Sequence, residues 1–206
     1  MKRTLFLPAI LGALAALSLS AHSQTAAPTA TKLADLQVGG GFVWANSDYV
    51  PNDIGGFGLY ADFDIRGHYG IEADFHQVRD PNPDPLVPSN HFSERTYELG
   101  GRYVRHYDQG RFAPYGKALF GRGVVNFVAH QRFVPGGLET YIDDIGYNMV
   151  SLGGGLDYRL TGRVNLRGDF EYQHLFAHDS ELPNGLSPRI FTIGAAYHFP
   201  ARGPKQ

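Results

Sequence analysis

From Leu36 onward apolar residues recur at every second position, and no stretch of helical length keeps an i, i+3, i+4 spacing. The pattern predicts eight strands: Leu36–Asn46, Gly56–Ile65, Tyr69–Val78, Glu94–Val104, Phe112–Val124, Tyr147–Leu160, Val164–Phe176 and Arg189–Phe199. In the second, Phe57, Leu59, Ala61, Phe63 and Ile65 share one face while Gly58, Tyr60, Asp62 and Asp64 share the other. The third opposes Tyr69, Ile71, Ala73 and Phe75 to Glu72, Asp74 and His76, and the seventh opposes Val164, Leu166, Phe170 and Tyr172 to Arg167, Asp169 and Glu171. Side chains of a strand alternate between faces, so each strand has one apolar and one polar side.

Alternation alone does not say which side faces out, because a soluble ligand-binding barrel of the lipocalin type alternates too. Three features favour a barrel with its apolar face in lipid. Charges of both signs gather on one face of most strands, while the other face is almost free of them. Connections alternate in length: Arg66–His68, Arg105–Arg111 and Thr161–Arg163 are short, whereas Ser47–Gly55, Arg79–Ser93, Val125–Gly146 and Ala177–Pro188 are long. Periplasmic turns at one end and surface loops at the other produce that rhythm. Aromatics such as Trp44, Tyr69, Tyr97, Tyr103, Phe112, Tyr158, Tyr172, Tyr197 and Phe199 lie on the apolar face, many near strand ends where membrane interfaces would fall. About 9 to 11 residues suffice to span at a tilt, and an open edge in lipid would leave backbone groups unsatisfied. The expected fold is therefore all-β, a closed eight-stranded antiparallel transmembrane up-and-down barrel.

Composition narrows the function classes. The chain has 206 residues with 26 Gly and no Cys, which excludes disulfide scaffolds, thiolate metal sites and lipidated N-termini. Residues 1–23 read as a secretory signal peptide: Lys2 and Arg3 precede an apolar run from Leu5 to Leu19 too short to span, and Ala21-His22-Ser23 offers small residues for cleavage. The 18 basic residues less Lys2 and Arg3, against 20 acidic ones, leave a formal charge of about −4, with no sign of a nucleic-acid partner. Residues 24–35, rich in Ala, Thr and Pro, read as a flexible periplasmic lead-in, 36–199 as the barrel and 200–206 as a short polar tail.

The last strand carries a further mark: Thr192, Gly194, Tyr197 and Phe199 follow a polar, glycine, aromatic, aromatic spacing. This resembles the β-signal by which the barrel assembly machinery recognises outer-membrane proteins, although Pro200–Gln206 follows an aromatic at which such chains usually stop. PYGKALFG at Pro114–Gly121 and GGGLDYRLTGRVNLRGDFEY at Gly153–Tyr172 resemble strands of the OmpA-like family of small outer-membrane barrels. The resemblance implies an exported protein of a bacterial outer membrane in contact with lipid and lipopolysaccharide. The family's peptidoglycan-binding domain is not expected here, and no cofactor is implied.

Candidate chemistry lies in the lumen, where an eight-stranded barrel has room only for side chains. Glu72, Glu98, Arg102, Lys117, Asp157, Arg159, Arg167, Asp169 and Glu171 are expected there as a mutually neutralising network that closes the barrel without an apolar centre. The function expected is structural or surface-contacting and non-enzymatic. One alternative is a narrow pore gated by Lys117 or an arginine exchanging carboxylates. Another is a lipid A-modifying enzyme using His174, His178, Asp179, Ser180 and Glu181 at the outer rim; Ser151 and Ser180 lack a placed base. Glu139, Asp143 and Asp144 could draw a divalent cation or simply form a turn. The apolar residues of Val125–Gly146 suggest a hairpin reaching beyond the membrane toward a surface partner, or strands that merely continue.

Overall fold

A computed structural model describes residues 35–48, 50, 53–66, 68–82, 91–134, 137–177 and 185–199. The expected signal peptide, nearly all of the lead-in, the tail and the segment from His178 to Glu181 lie outside the described residues. The strands are β1 (Asp35–Asn46), β2 (Asp53–Arg66), β3 (Tyr69–Arg79), β4 (Ser93–Val104), β5 (Phe112–Val134), β6 (Gly137–Arg159), β7 (Val164–Leu175) and β8 (Arg189–Phe199). Each pairs antiparallel with its sequence neighbour, and β1 closes on β8 from Leu36↔Phe199 to Asn46↔Arg189. The barrel has no free edge over that length, which removes the unpaired backbone that lipid would penalise.

The apolar face is outward. Phe42, Leu59, Tyr69, Leu99, Phe120 and Leu152 are exposed, Phe42 by 74%, while Glu72, Arg102, Lys117 and Glu171 on the opposite face are buried. Aromatics form two outward girdles. At the end with long connections Phe57, Phe75 and Tyr97 follow one another across β2, β3 and β4, at 5.9 and 5.1 Å between ring centroids. At the end with short turns Tyr69–Tyr103, Phe112–Tyr158 and Tyr197–Phe199 pair at 5.4, 5.1 and 4.7 Å. Short turns mark the periplasmic end in such barrels.

Two features depart from the sequence reading. The expected third long loop, Val125–Gly146, is strand: β5 and β6 run 23 residues each, against 11 to 14 in the others. β4 last pairs with β5 at Glu94↔Val125 and β7 first meets β6 at Met149↔Leu175, so beyond those points the two strands pair only with each other. β5 and β6 stay paired from Val125↔Ile145 to Val134↔Gly137, with one register shift between Val128 and His130, and Gly137, at φ 147°, begins the return strand. The expected absence of an apolar centre is also corrected. At the outer end of the lumen Val43, Ala45, Ile54, Val78, Val125, Met149, Leu175 and Ile190 form a buried cluster, because the inward positions of the strands turn from polar to apolar there.

Candidate functional site: the charged lumen

Below the apolar plug, inward side chains from β2 to β7 meet at the barrel axis. Two small residues make room for them. A side chain at Gly39 would collide with the ring of Tyr60, and one at Gly155 with the hydroxyl of Tyr115, so both tyrosines can lie across the lumen. The Arg167 guanidinium is clasped between those rings, 4.0 Å from the Tyr60 centroid and 4.8 Å from that of Tyr115, and Arg102 lies 4.3 Å over Tyr115 from another direction.

The charges form two linked nodes. In the first, Arg167 donates from Nε and Nη2 to both oxygens of Asp157, at 2.7 and 2.9 Å, and also donates to Asp62. Arg102 reaches Asp62 at 2.6 Å, Asp157 at 3.1 Å and Glu72 at 3.2 Å. In the second, Lys117 Nζ is surrounded by Glu171 at 2.6 Å, Asp74 at 2.7 Å, and Glu72 and Asp169 at 2.9 Å. Glu72 joins the nodes, since it also lies 3.4 Å from Arg167. Tyr115 donates to Asp169 at 2.5 Å, while Glu98 accepts from Gln173 at 2.7 Å and from Ser151. Such charge-assisted, multidentate bonds are what make burial of ions tolerable.

Of the nine lumen residues named from sequence, eight enter these contacts. Arg159 does not: it is half-buried at the periplasmic mouth, lining a cavity of about 20 Å³ with Arg102, His106 and His198. Asp62, Asp74 and His76 are central residues absent from the nine that the sequence reading named. His76 stands 3.5 Å from Glu98 and 3.8 Å from Glu171, and alternation had already placed it beside Glu72 and Asp74. Asp74, His76 and Glu171 also present ligand atoms within 4.8 Å of one another, as a metal site would require, but the Lys117 ammonium contacts both carboxylates. In the lumen the buried carboxylates Asp62, Glu72, Asp74, Glu94, Glu98, Asp157, Asp169 and Glu171 face Arg102, Lys117, Arg167 and His76.

A second internal cavity, beside Lys117, holds about 10 Å³, and a single water needs roughly that much. The lumen is filled. The chain matches the outer membrane protein β-barrel domain family over residues 9–199. This chain belongs to that family. It is an integral protein of the bacterial outer membrane, as the expected resemblance to small OmpA-like barrels implied.

Solved outer-membrane barrels share the architecture. Ail, the attachment invasion locus protein of Yersinia pestis, solved with the heparin analogue sucrose octasulfate, is 16% identical with a TM-score of 0.56, covering 81% of this chain and 99% of its own. A major outer membrane protein of Thermus thermophilus is 12% identical with a TM-score of 0.51, covering 81% and 99%. OprH of Pseudomonas aeruginosa is 16% identical with a TM-score of 0.50, covering 80% and 99%. At these identities the likeness is one of fold. No curated protein matches the sequence.

The other candidates fall elsewhere on this outer-membrane barrel. Thr192 is buried toward the lumen, Gly194 lies against Gly40 and Gly41, and Tyr197 and Phe199 face outward beside each other. His174 is half-buried on the outward side, bonded to the Ser187 hydroxyl at 3.0 Å and edge-on to Phe176, with no ion pair among the described residues. Ser151 is buried in the lumen against Glu98. Of Glu139, Asp143 and Asp144, only the side chain of Asp144 is described, and it pairs with Arg95 at 2.9 Å.

Proposed function

We propose that this barrel is a non-enzymatic surface protein of the outer membrane, in which the lumen braces the wall and the β5–β6 ribbon makes the contacts. The ribbon carries the reading. Beyond the Val125↔Ile145 pair it continues for nine residues of β5 and eight of β6, a projection of roughly 30 Å at strand rise. Its outer edges have no sheet neighbour, and unpaired edge groups are a template for another chain. A projection of this kind serves a partner at the cell surface, because the barrel already closes without it.

The lumen constellation is proposed as structural: Glu72, Glu98, Arg102, Lys117, Asp157, Arg167, Asp169 and Glu171 tie β3, β4, β5, β6 and β7 across the axis, with Arg159 at the mouth. Thr192, Gly194, Tyr197 and Phe199 are proposed as the mark read by the barrel assembly machinery, residues 1–23 as a leader removed on export, and the outward girdles as the contact with lipid and lipopolysaccharide. Replacing residues 127–143 by an Asn-Gly turn tests the ribbon. The shortened protein should keep its outer-membrane level and heat-dependent gel shift while expressing cells lose any attachment or aggregation that the full protein confers. Attachment unchanged by the excision would remove the ribbon from the function.

A further inference from the structure

At the periplasmic end, three arginines stand in or beside the turns, each against a tyrosine of the inner girdle. Arg111 lies 5.8 Å over the Tyr158 ring, and Arg163 donates to the Tyr197 hydroxyl at 3.3 Å. Arg105 hydrogen-bonds the phenol oxygens of Tyr107 and Tyr103, which raise the affinity of its guanidinium for the proton above the ordinary arginine value. All three arginines are exposed, as are Tyr103, Tyr107 and Tyr197 on the outward side. A backbone bond from Arg159 to Arg111, at 2.9 Å, ties the first of these turns to the wall that leads to the second. None of the three makes an ion pair among the described residues.

The outer rim carries Arg79, Arg95, Arg122 and Arg189. There Arg95 is already paired with Asp144, and Arg122 donates to the Gly146 carbonyl at 3.2 Å. The periplasmic arginines thus hold three permanent charges at the inner girdle, one over a tyrosine ring and two on tyrosine hydroxyls, without an ion pair among the described residues. A planar guanidinium fits a phosphate with two parallel bonds, and a tyrosine contact that already holds it limits the conformations lost on binding.

We propose that Arg105, Arg111 and Arg163, each held by a tyrosine of the inner girdle through its ring or its hydroxyl, form a belt that binds the phosphodiester headgroups of anionic phospholipid in the periplasmic leaflet. The belt follows the wall from the end of β4 to the start of β7, where consecutive turns bring the three residues to one level. Zwitterionic lipid offers the same phosphate with a compensating cation, so the belt discriminates between headgroups.

The test is lipid selectivity of the full barrel in phosphatidylcholine bilayers, read from spin-labelled phosphatidylglycerol against spin-labelled phosphatidylcholine. The wild-type protein should prefer phosphatidylglycerol, and R105Q/R111Q/R163Q should lose up to about fivefold in selectivity per arginine removed. R79Q/R95Q/R122Q, with the same loss of charge at the other end, should retain most of it. The heat-dependent gel shift reports closure of each variant; should the triple variant not close, Arg163→Gln alone carries the comparison. Selectivity that is absent in the wild type, survives the periplasmic substitutions or falls equally with the outer ones overturns the proposal. Inorganic phosphate at constant ionic strength should leave the preference in place, and its loss would reassign the belt to a free anion.

Discussion

Lys117 is the side chain on which the second lumen node converges, with four carboxylates within 2.9 Å of one ammonium. Removing it leaves four buried acids facing one another without their cation, and breaking a buried ion pair typically costs about 3–5 kcal/mol. Lys117→Ala should therefore lower the stability of the folded barrel in urea by that amount, followed through the fluorescence of Trp44, the single tryptophan. Arg159→Ala, outside the network, should change it by less than about 1 kcal/mol. Equal effects would mean that the network does not brace the wall. Which residues share the lumen was legible from alternation; which touch was not. Lys117 on β5 meets Glu72 and Asp74 on β3 and Asp169 and Glu171 on β7, and contacts across the axis depend on barrel stagger rather than on any spacing along one strand. Asp62 and His76 were visible on the same face, yet only the assembled barrel shows them at the axis.

At the scale of the strand, period-two alternation located all eight elements, because one face in lipid and one in a polar lumen keep the pattern sharp. It blurred in two places. Inward positions at the outer strand ends turn apolar, so Val43 and Val78 read as ordinary strand termini and Ile54 as part of the Ser47–Gly55 connection, and the plug was hidden. The stretch Val125–Gly146 read as a loop because it is longer than a span requires, although a paired ribbon needs no membrane to continue. β8 carries a prediction of its own. Phe199 is outward, in contact with Tyr197 and opposite Leu36 at the closing seam. Phe199→Ala should reduce the amount of protein reaching the outer membrane severalfold in cells while leaving refolding of the purified chain into detergent unchanged. Equal losses in both settings would make Phe199 a packing residue instead of an assembly mark.

For the whole molecule, the barrel is closed differently at its two levels. An apolar cluster fills the outer lumen and an ion-pair network fills the middle; among the described residues a cavity of about 10 Å³ lies beside the network and one of about 20 Å³ at the periplasmic mouth. Opening a water path would require both to part, stranding charges such as Arg167 and Asp157 that now satisfy each other through two bonds. The two ends also differ in purpose, with a projecting ribbon outside and an arginine–tyrosine belt inside. Single-channel recording of the purified barrel in a planar bilayer tests the filled lumen most directly. The account predicts a silent bilayer under applied voltage, whereas sustained current steps that change with Lys117→Ala or Arg167→Ala would contradict it.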